Sequence, residues 1–313
     1  MNTTRIERIL ASGWKATFAI TGGGSSALNA LLTTPGASRF VADAQIPYSP
    51  EALERFLGEK VEHSCSPQTA IDMARVAFKF HVSSFKSLSV SCTAALQTDR
   101  QRRGDDRAFI CIKTKKAEKL YALYLSESSR EKQEALLGDW LLVLIAQAIG
   151  AERGLMLPGS FNPVHCGHFG LLKAAEEMAS LRGIFELSVA NVDKPDIPEE
   201  ETLRRAASIR DIPVVLTRAA RFTQKAELFP GTTFVLGHDT AERLLDYAQD
   251  NEWERFQTLE TSFIVAGRLR RGTDDFAFPD DLSLPEDFEA LFESIPEPEF
   301  REDISSTELR NGK

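Results

Sequence analysis

Apolar and polar positions along the chain follow two periods, and the switches between them lay out the elements. Short apolar or alternating runs predict strands at Ala16 to Ile20, Ser87 to Ser91, Ala108 to Lys113 and Tyr121 to Leu125. Spacings of three and four predict helices at Ser26 to Leu32, Pro50 to Leu57, Ser66 to Phe80 and Arg130 to Ile149. Ser66-Pro67 reads as an N-cap followed by proline at the first helical position, and Gly150 as a helix stop. From Gly154 the order becomes regular: strand Leu155 to Pro158, a glycine turn, helix His168 to Ala179, strand Phe185 to Ala190 and helix Glu199 to Ile209. Further strands are expected at Pro213 to Thr217, Thr233 to Leu236 and Ser262 to Ala266, with helices at Thr240 to Tyr247 and near Trp253 to Leu259. Such alternation predicts an α/β fold whose C-terminal half is a doubly wound parallel sheet. Arg270 to Glu302 is acidic and proline-rich and is expected to be a solvated connection.

The change of pattern near Gly150 predicts two α/β domains, 1–150 and 151–313, which a chain of 313 residues accommodates. With 42% hydrophobic and 27% charged residues the composition is that of a globular protein with real cores. A net charge of -9 argues against nucleic acid as the partner, because neutralising phosphates along a strand requires a basic surface. Cys65, Cys92, Cys111 and Cys166 form no CxxC pair, so they read as buried free thiols in a reducing, cytoplasmic setting. No membrane span is expected, since even Trp140 to Ala146 soon meets Gln147. Met1 to Leu10 mixes Arg5, Glu7 and Arg8 with no apolar core and cleavage site, so no signal peptide is expected either.

The chemistry concentrates at the end of the strand Leu155 to Pro158. In an open parallel sheet, ligands sit beyond the carboxyl ends of the strands, and the first strand-to-helix turn commonly cradles phosphate. Gly159 lets a phosphate approach without a Cβ in the way, and Asn162-Pro163 tightens the turn and directs His165 toward the next helix. His165 and His168 are three apart, which places both imidazoles on one face at the positive end of a helix, where they can donate hydrogen bonds to a triphosphate. An acceptor phosphate is already a nucleophile, so nucleotidyl transfer needs alignment and charge stabilisation rather than a covalent enzyme intermediate.

Gly159-Ser160-Phe161-Asn162-Pro163-Val164-His165-Cys166-Gly167-His168 resembles the motif of the HxGH nucleotidylyltransferase superfamily, whose fold is a Rossmann-like parallel sheet. Ile304-Ser305-Ser306-Thr307-Glu308-Leu309-Arg310 is similar to that superfamily's ISSTxxR signature. The resemblance implies that His165 and His168 stabilise the α-phosphate and the leaving pyrophosphate. It also implies that Gly159, Ser160, Phe161, Asn162, Ser305, Ser306, Thr307 and Arg310 contact the triphosphate of ATP. Mg²⁺ would accompany the nucleotide without a dedicated protein cage, as hydrated Mg²⁺ does when phosphates supply its ligands.

Within the superfamily the chain looks most like the nicotinamide or nicotinate mononucleotide adenylyltransferases, which make NAD or deamido-NAD. Phe234-Val235-Leu236-Gly237-His238-Asp239-Thr240 resembles their G-x-D-T segment, with His238 at a position where the family commonly has a small residue. The resemblance places Gly237 and Asp239 at the nucleotide, and Lys194 and Trp253 at the acceptor's phosphate and pyridine ring. Two readings of the residues stay open: Asp239 as N-cap of the following helix, and Trp253 as a core residue beside Phe256 and Leu259. Cytidylyl or phosphopantetheine transfer, and a non-catalytic nucleotide sensor or scaffold, are the alternatives to this assignment.

In the N-terminal half Thr21-Gly22-Gly23, Pro35-Gly36-Ala37-Ser38 and Tyr48-Ser49 resemble the CinA C-terminal domain, whose active members deamidate nicotinamide mononucleotide. The resemblance puts Ala19 where that family has its nucleophilic serine and Leu53 where it has a lysine. A hydroxyl nucleophile needs its base, so a catalytically inactive domain is expected, with nucleotide binding at the Gly22-Gly23-Gly24-Ser25 turn and homo-oligomerisation left open.

Overall fold

The computed structural model describes residues 3–80, 85–99, 102–190, 196–269, 276–277, 281–301 and 309. Its contacts gather into two compact units, residues 1–152 with 209–216 and residues 153–208 with 217–313. Both are α/β, as the pattern of positions predicts. Among the described residues no helix is long and apolar enough to cross a membrane.

The first unit runs α1 (Thr3–Ala11), β1 (Lys15–Thr21), α2 (Ser25–Leu32), β2 (Val41–Gln45), α3 (Pro50–Leu57), α4 (Pro67–Phe80), β3 (Ser87–Ala95), β4 (Arg107–Thr114), β5 (Glu118–Tyr124) and α5 (Arg130–Ala148). β2 and β3 flank β1 in parallel, while β4 and β5 continue the sheet antiparallel from β3. β1 is covered on both faces, which is why Ala16 to Ile20 reads as a continuous run with hardly a polar side chain. α5 buries Leu137, Gly138 and Trp140 to Ala146, and its Trp140 donates Nε1–H to the carbonyl of Asp211 at 2.8 Å. Ser49 caps α3 and Ser129 caps α5, each accepting a backbone N–H with its hydroxyl.

The second unit begins with β6 (Gly154–Gly159), α6 (Cys166–Ala179), β7 (Gly183–Ser188) and α7 (Glu199–Ala207). β8 (Val214–Thr217) follows and differs from expectation: Val214 to Leu216 pair antiparallel with Leu120 to Ala122 of β5, within the first unit. The strand buries Val214 and Val215 and finishes a sheet edge that β5 would otherwise leave open. The chain returns through α8 (Phe222–Leu228), β9 (Thr232–Gly237), α9 (His238–Tyr247), α10 (Asp250–Thr258), β10 (Ser262–Ala266), a short antiparallel pair β11 (Arg268–Leu269) and β12 (Phe276–Ala277), and β13 (Phe292–Ile295).

In this unit the strands lie in the order β13-β10-β9-β6-β7, all parallel. β13 corrects the reading of Arg270 to Glu302 as wholly solvated. Phe292 stacks on Phe263 with ring centroids 5.0 Å apart, and Ile295 is buried, so two apolar side chains carry an edge strand through an acidic stretch. From β6 the chain moves to β7 on one side and later to β9 on the other. The switch point therefore lies between β6 and β9, and the turns after both strands open on the same edge of the sheet.

Candidate functional site

The site starts from β6, whose Leu155, Met156 and Leu157 are buried and fix where the strand ends. After Gly159 the backbone reverses through Phe161, which has a left-handed φ of 44°, and through a cis peptide between Asn162 and Pro163. The reversal folds the Phe161 ring back over Gly159, where an added Cβ would lie 2.7 Å from the ring carbons. Gly159 is thus required by the neighbouring ring, whatever approaches from solvent. Phe161 is buried and sets its ring edge-on to Phe185 and to His168, at centroid distances of 5.0 and 5.2 Å. The Ser160 carbonyl accepts a hydrogen bond from Arg205 of α7 at 3.0 Å, and Arg205 is held in turn by Glu201 at 2.7 Å.

α6 starts at Cys166, two residues before the expected His168, with His165 as its extended N-cap residue. The helix start joins the two histidines through the backbone: His168 N–H donates to the His165 carbonyl at 3.0 Å, and His165 N–H donates to His168 Nδ1 at 3.2 Å. Their rings lie 3.8 Å apart, tilted by 42°. Because His168 Nδ1 accepts, the neutral ring carries its proton on Nε2, free to be donated elsewhere. Burial first, and the neighbouring His165 second, depress the His168 pKa to about 4, against an opposing effect of the backbone hydrogen bond. At neutral pH the free protein therefore presents His168 as a neutral hydrogen-bond donor at a helix N-terminus. Cys166, read from the sequence as a buried thiol, is exposed as the first residue of α6, between the histidines.

A strand end, a tight turn, a helix start and two imidazoles thus come together at the topological switch point, an arrangement suited to binding phosphate. The sequence profile of the cytidylyltransferase-like family matches residues 156–312, half of the chain and all of this site. The chain belongs to the cytidylyltransferase-like family. That assignment supports nucleotidyltransferase activity for the second unit.

No curated protein matches the chain at a significant level. Solved structures are similar to just under half of it. A CinA superfamily protein from Klebsiella pneumoniae is 14% identical, with 48% of this chain and 96% of that chain covered and a TM-score of 0.42. The competence/damage inducible protein CihA from Agrobacterium tumefaciens is 20% identical, with 47% and 93% covered and a TM-score of 0.41. A CinA superfamily protein from Escherichia coli is 14% identical, with 48% and 91% covered and a TM-score of 0.36.

The remaining expected residues of the cytidylyltransferase-like domain fall in different places. Gly237 ends β9 and precedes α9, on the same edge of the sheet as Gly159. α9 begins at His238, so Asp239 lies inside the first turn rather than at the cap, and its side chain is exposed. The capping reading of Asp239 is thereby removed. Trp253 is 2% exposed and packs among protein rings, nearly parallel to Phe288 at 6.2 Å and tilted against Phe256 and Phe292. Lys194, Ser305, Ser306, Thr307 and Arg310 lie outside the described residues.

Among the described residues, one set of side chains brings cation-ligating atoms together: His238, Asp239 and Glu242 offer donors within 4.8 Å of one another. An imidazole beside two carboxylates is not the all-oxygen set that Mg²⁺ favours, so the set does not fit a resident Mg²⁺.

The sequence reasoning missed a buried ion pair next to this edge. Glu186 of β7 is fully buried, and Lys225 of α8 donates to both its oxygens at 2.8 and 2.7 Å and to the Ala219 carbonyl at 2.8 Å. Thr217 donates its hydroxyl to the same carboxylate. Ser188 donates to the Ala219 and Ala190 carbonyls, which joins the end of β7 to the same network. The signal was a lone Glu inside the apolar strand Gly183 to Ser188.

Proposed function

We propose that the protein is an adenylyltransferase that transfers AMP from ATP to nicotinamide or nicotinate mononucleotide, releasing pyrophosphate and forming NAD or deamido-NAD. The observation that carries the reading is the coupled pair His165–His168 at the start of α6, on the edge where β6 meets β9. Two imidazole donors at a helix N-terminus suit a group whose negative charge grows on the α-phosphate and the departing pyrophosphate. The acceptor phosphate attacks the α-phosphorus as the bond to pyrophosphate breaks, and no proton has to leave the nucleophile. Mg²⁺ would take its ligands from phosphate oxygens and water. Ser160, Phe161 and Asn162 shape the turn, and Gly237 at the end of β9 and Asp239 in the first turn of α9 would face the nucleotide. Ser305, Ser306, Thr307 and Arg310 would close on the triphosphate, and Lys194 on the acceptor. The assignment of the acceptor rests on the sequence resemblance, and Trp253, buried against Phe256, Phe288 and Phe292, adds nothing to it.

The same reading makes the first unit catalytically silent. Ala19 and Leu53, at the positions of the family's serine and lysine, pack with Met73 and Ala77 in one apolar cluster, 0% and 2% exposed. The test is product analysis of the purified chain with ATP, Mg²⁺ and each mononucleotide, with CTP as competing donor. Dinucleotide without ammonia release is the expected result; no dinucleotide from either acceptor overturns the assignment.

A further inference from the structure

The glycine turns after β1 and β6 each lead from a buried strand into a helix, and they differ in what faces them. After β1 the backbone passes through Gly22, Gly23 and Gly24, and Gly24 takes a φ of 98°. This presents the first N–H groups of α2 outward, as an anion cradle would. Those groups are already engaged. Glu134 of α5 accepts from Gly24 N–H at 2.8 Å through one oxygen, and from Ser26 N–H at 2.8 Å and the Ser25 hydroxyl at 3.0 Å through the other.

The rest of α5 closes the same contact. Arg130, one helical turn before Glu134, donates to the Gly22 carbonyl at 2.9 Å and to the Tyr48 hydroxyl at 3.2 Å. Gly138, one turn after it, lets α5 come so near that an added Cβ would stand 2.0 Å from Ser26 Oγ. Ser26 Oγ in turn donates to the Glu134 carbonyl at 2.9 Å. Residues at i, i+4 and i+8 share one helix face, so a single face of α5 supplies a cation to the turn's carbonyl, an anion to its amides and a gap for its serine.

We infer that Glu134 is the built-in anion of this turn, so that the first unit takes no phosphate there from solution. A phosphate arriving at the same amides would have to displace a carboxylate with three hydrogen bonds, and would meet its charge at close range. The inference is independent of the transferase reading, because it concerns only α2 and α5.

Hydrogen–deuterium exchange of residues 20–32 in the full chain tests it, with inorganic phosphate and acetate as probes. In the wild type the segment exchanges slowly, and neither anion changes its rate. Glu134→Ala speeds exchange at Gly24 and Ser26 by about tenfold or more, the scale of a lost charge-assisted hydrogen bond, and acetate slows it again. Glu134→Gln keeps the side-chain shape and shifts exchange in the same direction by less, which preserves the test if the alanine variant unfolds. Slowing of wild-type exchange by phosphate, or unchanged exchange in both variants, overturns the inference.

Discussion

His165 and His168 are bound to each other through the first turn of α6: the backbone N–H of one donates to the ring nitrogen of the other at 3.2 Å, and the rings lie 3.8 Å apart. The helix start itself therefore selects the His168 tautomer and leaves Nε2–H as the outward donor. A motif that reads as two independent phosphate ligands is one unit, in which moving either residue disturbs the other.

Replacing His168 with alanine removes a preorganised donor and also releases the His165 backbone. We expect kcat to fall by about 10²- to 10³-fold, the usual loss for a donor that stabilises transition-state charge, while ATP binding and the fold persist. Steady-state kinetics beside calorimetric ATP binding separate these effects. A variant with unchanged kcat would remove His168 from the chemistry.

The depressed pKa of His168 has a stability consequence of fixed sign. An unfolded chain protonates this histidine near 6.5, whereas the folded one resists until about 4. As pH falls from about 6.5 to about 4 the unfolded state gains a proton that the folded state refuses, so the stabilisation is present above this window and lost through it. Urea unfolding across the window should show a shallower slope for His168→Phe than for the wild type. Identical slopes would contradict the burial-driven shift.

Cys166 is the one exposed thiol among the four cysteines. Burial holds the thiols of Cys92 and Cys65 above their ordinary range and pushes Cys111 up to about 12, so a mild alkylating reagent should choose Cys166. Iodoacetamide is expected to abolish activity by placing an amide arm on the first turn of α6, beside the histidines, with ATP slowing the loss. Cys166→Ser should resist. Inactivation of that variant at the wild-type rate would place the sensitive group elsewhere.

Lys225→Met leaves the Glu186 carboxylate fully buried beside Thr217 with no cation. The expected cost is about 3–5 kcal/mol, and Glu186→Leu combined with Lys225→Met should recover much of it, because the stranded charge is what destabilises. Urea midpoints of the single and double variants decide the point. Equal destabilisation in both would show that packing, not charge, dominates.

The parallel strands of the second unit and the strand-turn-helix at Gly159 were legible in the sequence because period and turn chemistry are local signals. β8 was visible as a strand, but its partner was not: pairing with β5 depends on which sheet edge stands open. β13 was hidden because Phe292 and Ile295 sit among acids and prolines, and the rings that pack on Phe292, Phe263 and Trp253, are distant in sequence. At the site, the sequence identified both histidines and the glycine. It missed the role of Phe161, whose ring accounts for Gly159 and walls His168, and the Glu186–Lys225 pair, whose partners are 39 residues apart. Glu134 carried no signal either, since its meaning depends on α5 lying against a turn more than a hundred residues away.

The central claim is that ATP is cleaved at its α-phosphate and the adenylyl group passes to a phosphorylated acceptor at His165 and His168. The direct measurement follows label from ATP carrying radioactive phosphorus at the α position, with Mg²⁺ and nicotinamide or nicotinate mononucleotide, in the wild type and His168→Ala. The account predicts label in a dinucleotide, unlabelled pyrophosphate in equal amount, and loss of both in the variant. Label that stays in ATP or appears only as free AMP in the wild type, or product formed equally well by the variant, would contradict it.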